Sequence, residues 1–203
     1  MYIEIILSLI IGYLLGSVPF ALVVGRLFFK TDVRKHGSKN LGGCNTGRVL
    51  GKKAGLMVMA LDLLKATLAI YLASHFDNRD VTMILAGLAA AIGHCYPLFA
   101  GFKGGKAVAA LYGFLFGMGL FTECSLWVFF LPLIVFLVVL YLSKIVSLSS
   151  IFGALSSTIY LVASTDSQLL WSVSVILTLI VIVRHKANIE RMIRKEEHKI
   201  SWM

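Results

Sequence analysis

Three short segments combine glycine, Lys or Arg, and side chains with directed hydrogen-bond donors, which is the equipment a phosphate group requires. In the first, Gly37, Gly42, Gly43 and Gly47 allow a close backbone approach, Ser38, Asn40 and Asn45 are polar, and Arg48 offers a two-pronged guanidinium. In the second, Gly93-His94-Cys95-Tyr96-Pro97 runs on to Phe102-Lys103-Gly104-Gly105-Lys106 just ahead of an apolar helix. There the helix N-terminus, free N–H groups and both ammonium groups can converge on one anion. In the third, His185, Asn188 and Arg191 recur every three residues and so share a helix face, with Arg184 beside them. The first segment is not a Walker A loop. The Gly51-Lys52 pair lacks a glycine five residues before Gly51, and Lys53 stands where Ser or Thr is needed.

Each feature also has a plainer reading. The first segment could be a flexible basic loop, the second a basic turn at the lipid headgroups, and the third a snorkelling terminus, the reading preferred for Lys186, Arg194 and Lys195. His94 alone reads as a packed, hydrogen-bonded histidine, and Ser147, Ser149 and Ser150 after Lys144 read as a helix cap. Asp62 and Lys65, three apart in an apolar stretch, form an internal pair of either structural or site-supporting duty.

The elements that must position these residues follow from composition. The chain of 203 residues is 59% hydrophobic and 14% charged, above the roughly 45–50% apolar content of soluble domains, which makes it an integral membrane protein. The stretch from Ile3 to Phe29 is too long for a signal-peptide core and is expected to stay as a first helix kinked at Pro19. A crossing takes about 20 residues, so the apolar run from Ala107 to Leu142 becomes a hairpin turning near Glu123. The same argument splits 54–100 around Asp77, Arg79 and Asp80, and 147–183 around Asp166. The expected fold is an all-α polytopic membrane protein, one domain over 1–203, with about seven transmembrane helices. Several would be short, so five spans with re-entrant segments is the competing count.

Lys and Arg crowd the connections that carry the three segments, whereas the other face holds only Arg79. By the positive-inside rule the N-terminus is outside and the C-terminus and all three segments are cytoplasmic. That topology accounts for most of the net charge of +9, and no aromatic-basic pattern points to nucleic acid. Cys44, Cys95 and Cys124 lack metal-ligand spacing, and no metal or other cofactor is expected.

The order of the segments on this topology resembles the bacterial acyl-phosphate:glycerol-3-phosphate acyltransferase family, PlsY, over essentially the whole chain. The matches are Gly37, Ser38, Asn40, Gly42, Asn45 and Arg48; Gly93, His94, Pro97, Phe102, Lys103, Gly104, Gly105 and Lys106; Arg184, His185, Asn188, Ile189 and Arg191; and Ser147 and Ser150. Gly43-Cys44 replaces Ala-Thr, Tyr96 replaces Phe, Ala107 and Ala110 replace Gly and Thr, and Lys195-Glu196 replaces Gly-Thr. The resemblance implies transfer of an acyl group from acyl phosphate to the 1-hydroxyl of glycerol 3-phosphate in phospholipid synthesis, giving lysophosphatidic acid and phosphate. It implies an active site on the cytoplasmic face of the bacterial inner membrane, with membrane lipids around it. It makes His185, Ser38 and Lys106 candidate catalytic residues. Gly37, Asn40, Gly42, Asn45, Arg48, His94, Lys103, Gly104, Gly105, Ser147, Ser150, Asn188 and Arg191 become candidate substrate-binding residues.

This chemistry suits the residues present. An acyl phosphate is already activated, so the protein needs chiefly to hold two anions with the hydroxyl near the carbonyl carbon. The proton acceptor is left open between His185 and the donor's own phosphate. The His-x-x-x-x-Asp pattern of thioester-using acyltransferases is absent. The alternative is a membrane carrier or flippase for a small phosphorylated molecule, but that class usually shows internal repeats and midplane sites, and neither is visible in this sequence.

Overall fold

In the computed structural model, which describes residues 2–76 and 79–200, every regular element among the described residues is helical. α1 (Tyr2–Gly16) and α2 (Phe20–Phe29) form one apolar unit broken at Ser17-Val18-Pro19, because Pro19 has no N–H with which to continue the ladder. At the break the Val18 carbonyl accepts from the Phe20 N–H at 3.1 Å and from Lys65 Nζ at 2.9 Å. There follow α3 (Gly43–Leu50), α4 (Lys52–Phe76), α5 (Asp80–Cys95), α6 (Val108–Phe121), α7 (Trp127–Ser143), α8 (Val146–Ser164), α9 (Gln168–Arg184) and α10 (Lys186–Ile193).

The breaks expected near Glu123 and Asp166 lie between α6 and α7 and between α8 and α9. Asp77 lies outside the described residues, between the end of α4 and the start of α5. Length does not support seven full crossings. Four units are long and apolar enough among the described residues, α1–α2, α4, α5 with its following turn, and α8; α9 adds a fifth if it counts as one bent span with α10. α6 and α7 have 14 and 17 residues, and at 1.5 Å per residue both fall short of a roughly 30 Å core.

Small residues let the helices approach closely, as expected where lipid removes the usual hydrophobic drive. A Cβ on Gly12 or Gly16 of α1 would overlap the Ala86 or Ala90 carbonyl of α5, and one on Gly113 of α6 would overlap the Leu63 carbonyl of α4. Ile70, Met83, Leu111, Phe114, Met118 and Leu177 fill the centre, while Leu27, Phe28, Leu142, Ile159 and Val183 face outward as a lipid-facing surface would. This packing brings the loop before α3, the start of α6, the start of α8 and the α9–α10 elbow to one end of the bundle.

Candidate active site

The loop before α3 is closed by one side chain. Asn45 Oδ1 accepts from the Ser38 backbone N–H at 2.8 Å, and its Nδ2 donates to the Val33 carbonyl at 2.9 Å and the His36 carbonyl at 3.3 Å. Gly37 has φ +58°, and a Cβ there would overlap Asn45 Oδ1, so glycine is what permits the clamp. The α3 N-terminus, with Gly42, Gly43 and Cys44, and the Ser38 side chain thereby face a common cavity.

The second segment is held from both sides. On α4, Asp62 Oδ1 lies 2.7 Å from Lys65 Nζ and 3.4 Å from His94 Nδ1, all three side chains being buried. The Gly104 and Gly105 N–H groups donate back to the Cys95 and His94 carbonyls at 3.1 and 3.0 Å. They are therefore not the free anion donors that the sequence suggests. Their carbonyls accept from Arg184 Nη2 and Nε, each at 3.0 Å, while the Arg184 guanidinium lies 5.5 Å from the Tyr96 ring centre. A Cβ on Gly105 would overlap His94 Nε2 and stand 2.7 Å from the Leu41 carbonyl, so the glycine pair is a packing requirement. Ala107 then takes φ +63°, an αL position where glycine is the easy choice, and α6 begins.

The result separates two similar lysines. Lys103 is exposed and lies off the cavity, whereas Lys106 turns into it and donates to Asn188 Oδ1. Burial lowers the pKa of the Lys106 ammonium, with Arg191 and Arg48 adding to the effect and Cys44 and Glu197 opposing it.

α9 and α10 meet at 57° with His185 at the elbow. His185 Nδ1 lies 2.8 Å from the Val181 carbonyl, which can only accept. Nδ1 therefore carries the proton, and Nε2 keeps a lone pair. Asn188 and Arg191 follow on α10, and both reach Glu197 in the C-terminal tail. Glu197 Oε1 accepts from Asn188 Nδ2 at 2.5 Å and Ser147 Oγ at 2.9 Å, and Oε2 accepts from Arg191 Nε at 2.7 Å. Burial opposes ionisation of Glu197, but these donors together hold its pKa below the usual value.

One cavity of about 440 Å³ gathers these groups. Of the residues singled out in the sequence, Ser38, Asn40, Gly42, Asn45, Arg48, His94, Lys106, Ser147, Ser150, His185, Asn188 and Arg191 line it; Gly37, Lys103, Gly104 and Gly105 do not. The Ser150 hydroxyl donates to the Val146 carbonyl at 2.8 Å, which leaves its lone pairs for a ligand. Away from the cations the wall turns apolar, with Leu56, Met59 and Leu63 of α4, Tyr112 of α6, and Phe129, Leu133 and Phe136 of α7. Neither this wall nor Glu197 is marked by the three segments. Glu197 sits in a basic tail where nothing but its charge sets it apart, and Glu190, the carboxylate inside the third segment, is exposed.

Residues 6–195 match the family model for glycerol-3-phosphate acyltransferase. A relative from Geobacillus kaustophilus named glycerol-3-phosphate acyltransferase is 48% identical over 197 residues, covering 97% of this chain and 96% of its own length. One of the same name from Bacillus subtilis is 44% identical, covering 98% and 99%. Two crystal structures of PlsY (YgiH), an integral membrane glycerol 3-phosphate acyltransferase, superpose closely. Its glycerol 3-phosphate form has TM-score 0.88 and 33% identity, covering 97% of this chain and 96% of the other. Its lysophosphatidic acid form has TM-score 0.84 and 32% identity, covering 97% and 95%. The cavity built from all three glycine- and cation-rich segments is thus set in a membrane bundle shared with these proteins, and the chain belongs to the glycerol-3-phosphate acyltransferase family.

Proposed function

We propose that this protein transfers a fatty acyl group from acyl phosphate to the 1-hydroxyl of glycerol 3-phosphate, forming lysophosphatidic acid and inorganic phosphate. The observation that carries the reading is the continuity of the cavity, cationic where a phosphate would sit and apolar where an acyl chain would lie. The relatives' names and the ligands of the two solved PlsY forms support the acceptor; the donor rests on the sequence resemblance and on the chemistry of the site.

In this mechanism Arg48, Lys106 and Arg191 hold the phosphates, with Ser38, Asn40 and the α3 N-terminus completing the cradle. The hydroxyl oxygen attacks the carbonyl carbon, the bond from that carbon to the phosphate oxygen breaks, and phosphate leaves with the electron pair. The hydroxyl proton passes to His185, whose Nε2 lone pair is set by the Nδ1–H bond to Val181. Gly37 and Asn45 shape the first loop, and Gly104, Gly105 and His94 fix Lys106. The mixed anhydride supplies the activation, so no cofactor takes part. The chain works as one domain in the bacterial inner membrane, with α6 and α7 counted as short passes among about seven, its N-terminus outside and the site cytoplasmic.

The test gives purified protein glycerol 3-phosphate together with acyl phosphate, acyl-CoA or an acyl carrier protein thioester, in EDTA. Turnover with acyl phosphate alone is expected. Efficient thioester use with none of acyl phosphate would overturn the donor assignment, and loss of activity on chelation would overturn the metal-free mechanism.

A further inference from the structure

The tail places a carboxylate among the donors that a substrate phosphate needs. The Glu197 side chain is 4% exposed, and Ser147, Asn188 and Arg191 all donate to it. Asn188 points one amide N–H at Glu197 while its amide oxygen accepts from Lys106, so the carboxylate holds a donor that lies beside the cavity's buried ammonium. A phosphate seeking the same groups meets a like charge already bound to them, and two such anions do not share one seat. The cavity offers three cations, Arg48, Lys106 and Arg191, whereas Asp62 is committed to Lys65. Two phosphate groups of about −1.5 to −2 each favour that cationic set without a competing carboxylate.

The segment that carries Glu197 is lightly fastened. Lys195 reverses the chain at φ +59°, a conformation that residues other than glycine resist. The Glu196 N–H donates to the Arg191 carbonyl and the Ile200 N–H to the Lys144 carbonyl, each at 2.8 Å. Between them Glu196, His198 and Lys199 are exposed, so little apolar burial opposes release.

We propose that residues 194–200 form a displaceable strap whose Glu197 carboxylate sits where a substrate phosphate binds and is exchanged for it. This rests on the cavity being a phosphate site. The strap lowers the apparent affinity for phosphate, because only the open fraction binds, and its return helps to expel the phosphate product.

Two measurements on the full chain in lipid vesicles decide the matter. Calorimetry with inorganic phosphate and with glycerol 3-phosphate is run on the wild type and on Glu197→Gln, which keeps the shape and removes the charge. The dissociation constant is expected to fall about tenfold in the variant, the worth of roughly one charge-assisted hydrogen bond. Hydrogen exchange at the Glu196 and Ile200 amides of the wild type is expected to speed up with saturating glycerol 3-phosphate. Weaker binding by a folded Glu197→Gln, or exchange that slows or stays the same while ligand binds, overturns the strap alone. Absence of any phosphate binding by the wild type overturns the site and the strap together. Should Glu197→Gln fail to fold, the wild-type exchange result decides.

Discussion

Lys103 and Lys106 flank the same glycine pair and read as twins in the sequence, yet the fold gives them opposite surroundings. If phosphate binding depends on Lys106, Lys106→Ala removes a charge-assisted contact of about 1.5–3 kcal/mol, a loss of about ten- to a hundred-fold in kcat/KM for glycerol 3-phosphate. The same change leaves Asn188 Oδ1 without the ammonium that now donates to it, so the loss belongs at the upper end of that range. Lys106→Arg keeps the charge on a bulkier, planar group and should recover part of the activity. Lys103→Ala touches neither the cavity nor a buried partner, and an effect within about 0.5 kcal/mol, or roughly twofold, is expected. The assay is initial-rate release of inorganic phosphate from acyl phosphate by purified protein in vesicles, with the acceptor varied. Equal losses at the two lysines would refute the argument, since they would indicate a diffuse basic surface instead of a built site.

The remaining expectations concern packing, pH, chain length and topology. Gly105→Ala must push its Cβ against the buried His94 ring and the Leu41 carbonyl, displacing Lys106, so thermal stability should drop by about 1–3 kcal/mol and KM for the acceptor should rise. Because burial depresses the Lys106 pKa and binding needs the charged form, binding is present below that pKa and lost as pH rises through it. The alkaline limb of kcat/KM should therefore lie below the usual lysine value of about 10.4, and Lys106→Arg should move it upward. Phe129→Ala opens the apolar wall where Phe129 meets Tyr112 edge-to-face, and should shift the donor preference toward longer acyl chains, each added buried CH₂ being worth about 0.8 kcal/mol in a chain-length series. Cysteine labelling in intact cells should reach positions 78, 123 and 166 from outside and 103, 145 and 195 only after lysis; external labelling at 103 would overturn the cytoplasmic placement proposed for the site.

Hydropathy placed the helix breaks near Glu123 and Asp166 and the kink at Pro19, because those features depend on chain length and on a missing N–H, both local properties. The convergence of segments at one end of the bundle was legible for a similar reason, since alternating connections of a membrane bundle must share a face. What sequence could not reveal is which donors the fold consumes. The Gly104 and Gly105 amides look free, but the Cys95 and His94 carbonyls take them, and Asn45, whose type suggests a ligand contact, spends its amide closing the loop around Ser38. Such commitments depend on partners distant in sequence or on the path of a turn, so no spacing rule reports them. The tail shows the limit most sharply. Helical periodicity ends at Ile193, and the reversal at Lys195 occurs without the glycine that would normally announce it. A segment that composition assigns to solvent thus folds back and sets Glu197 against three residues of the site. The one carboxylate that lies closest to the candidate phosphate donors was therefore hidden in the stretch whose charge pattern gave it the plainest explanation.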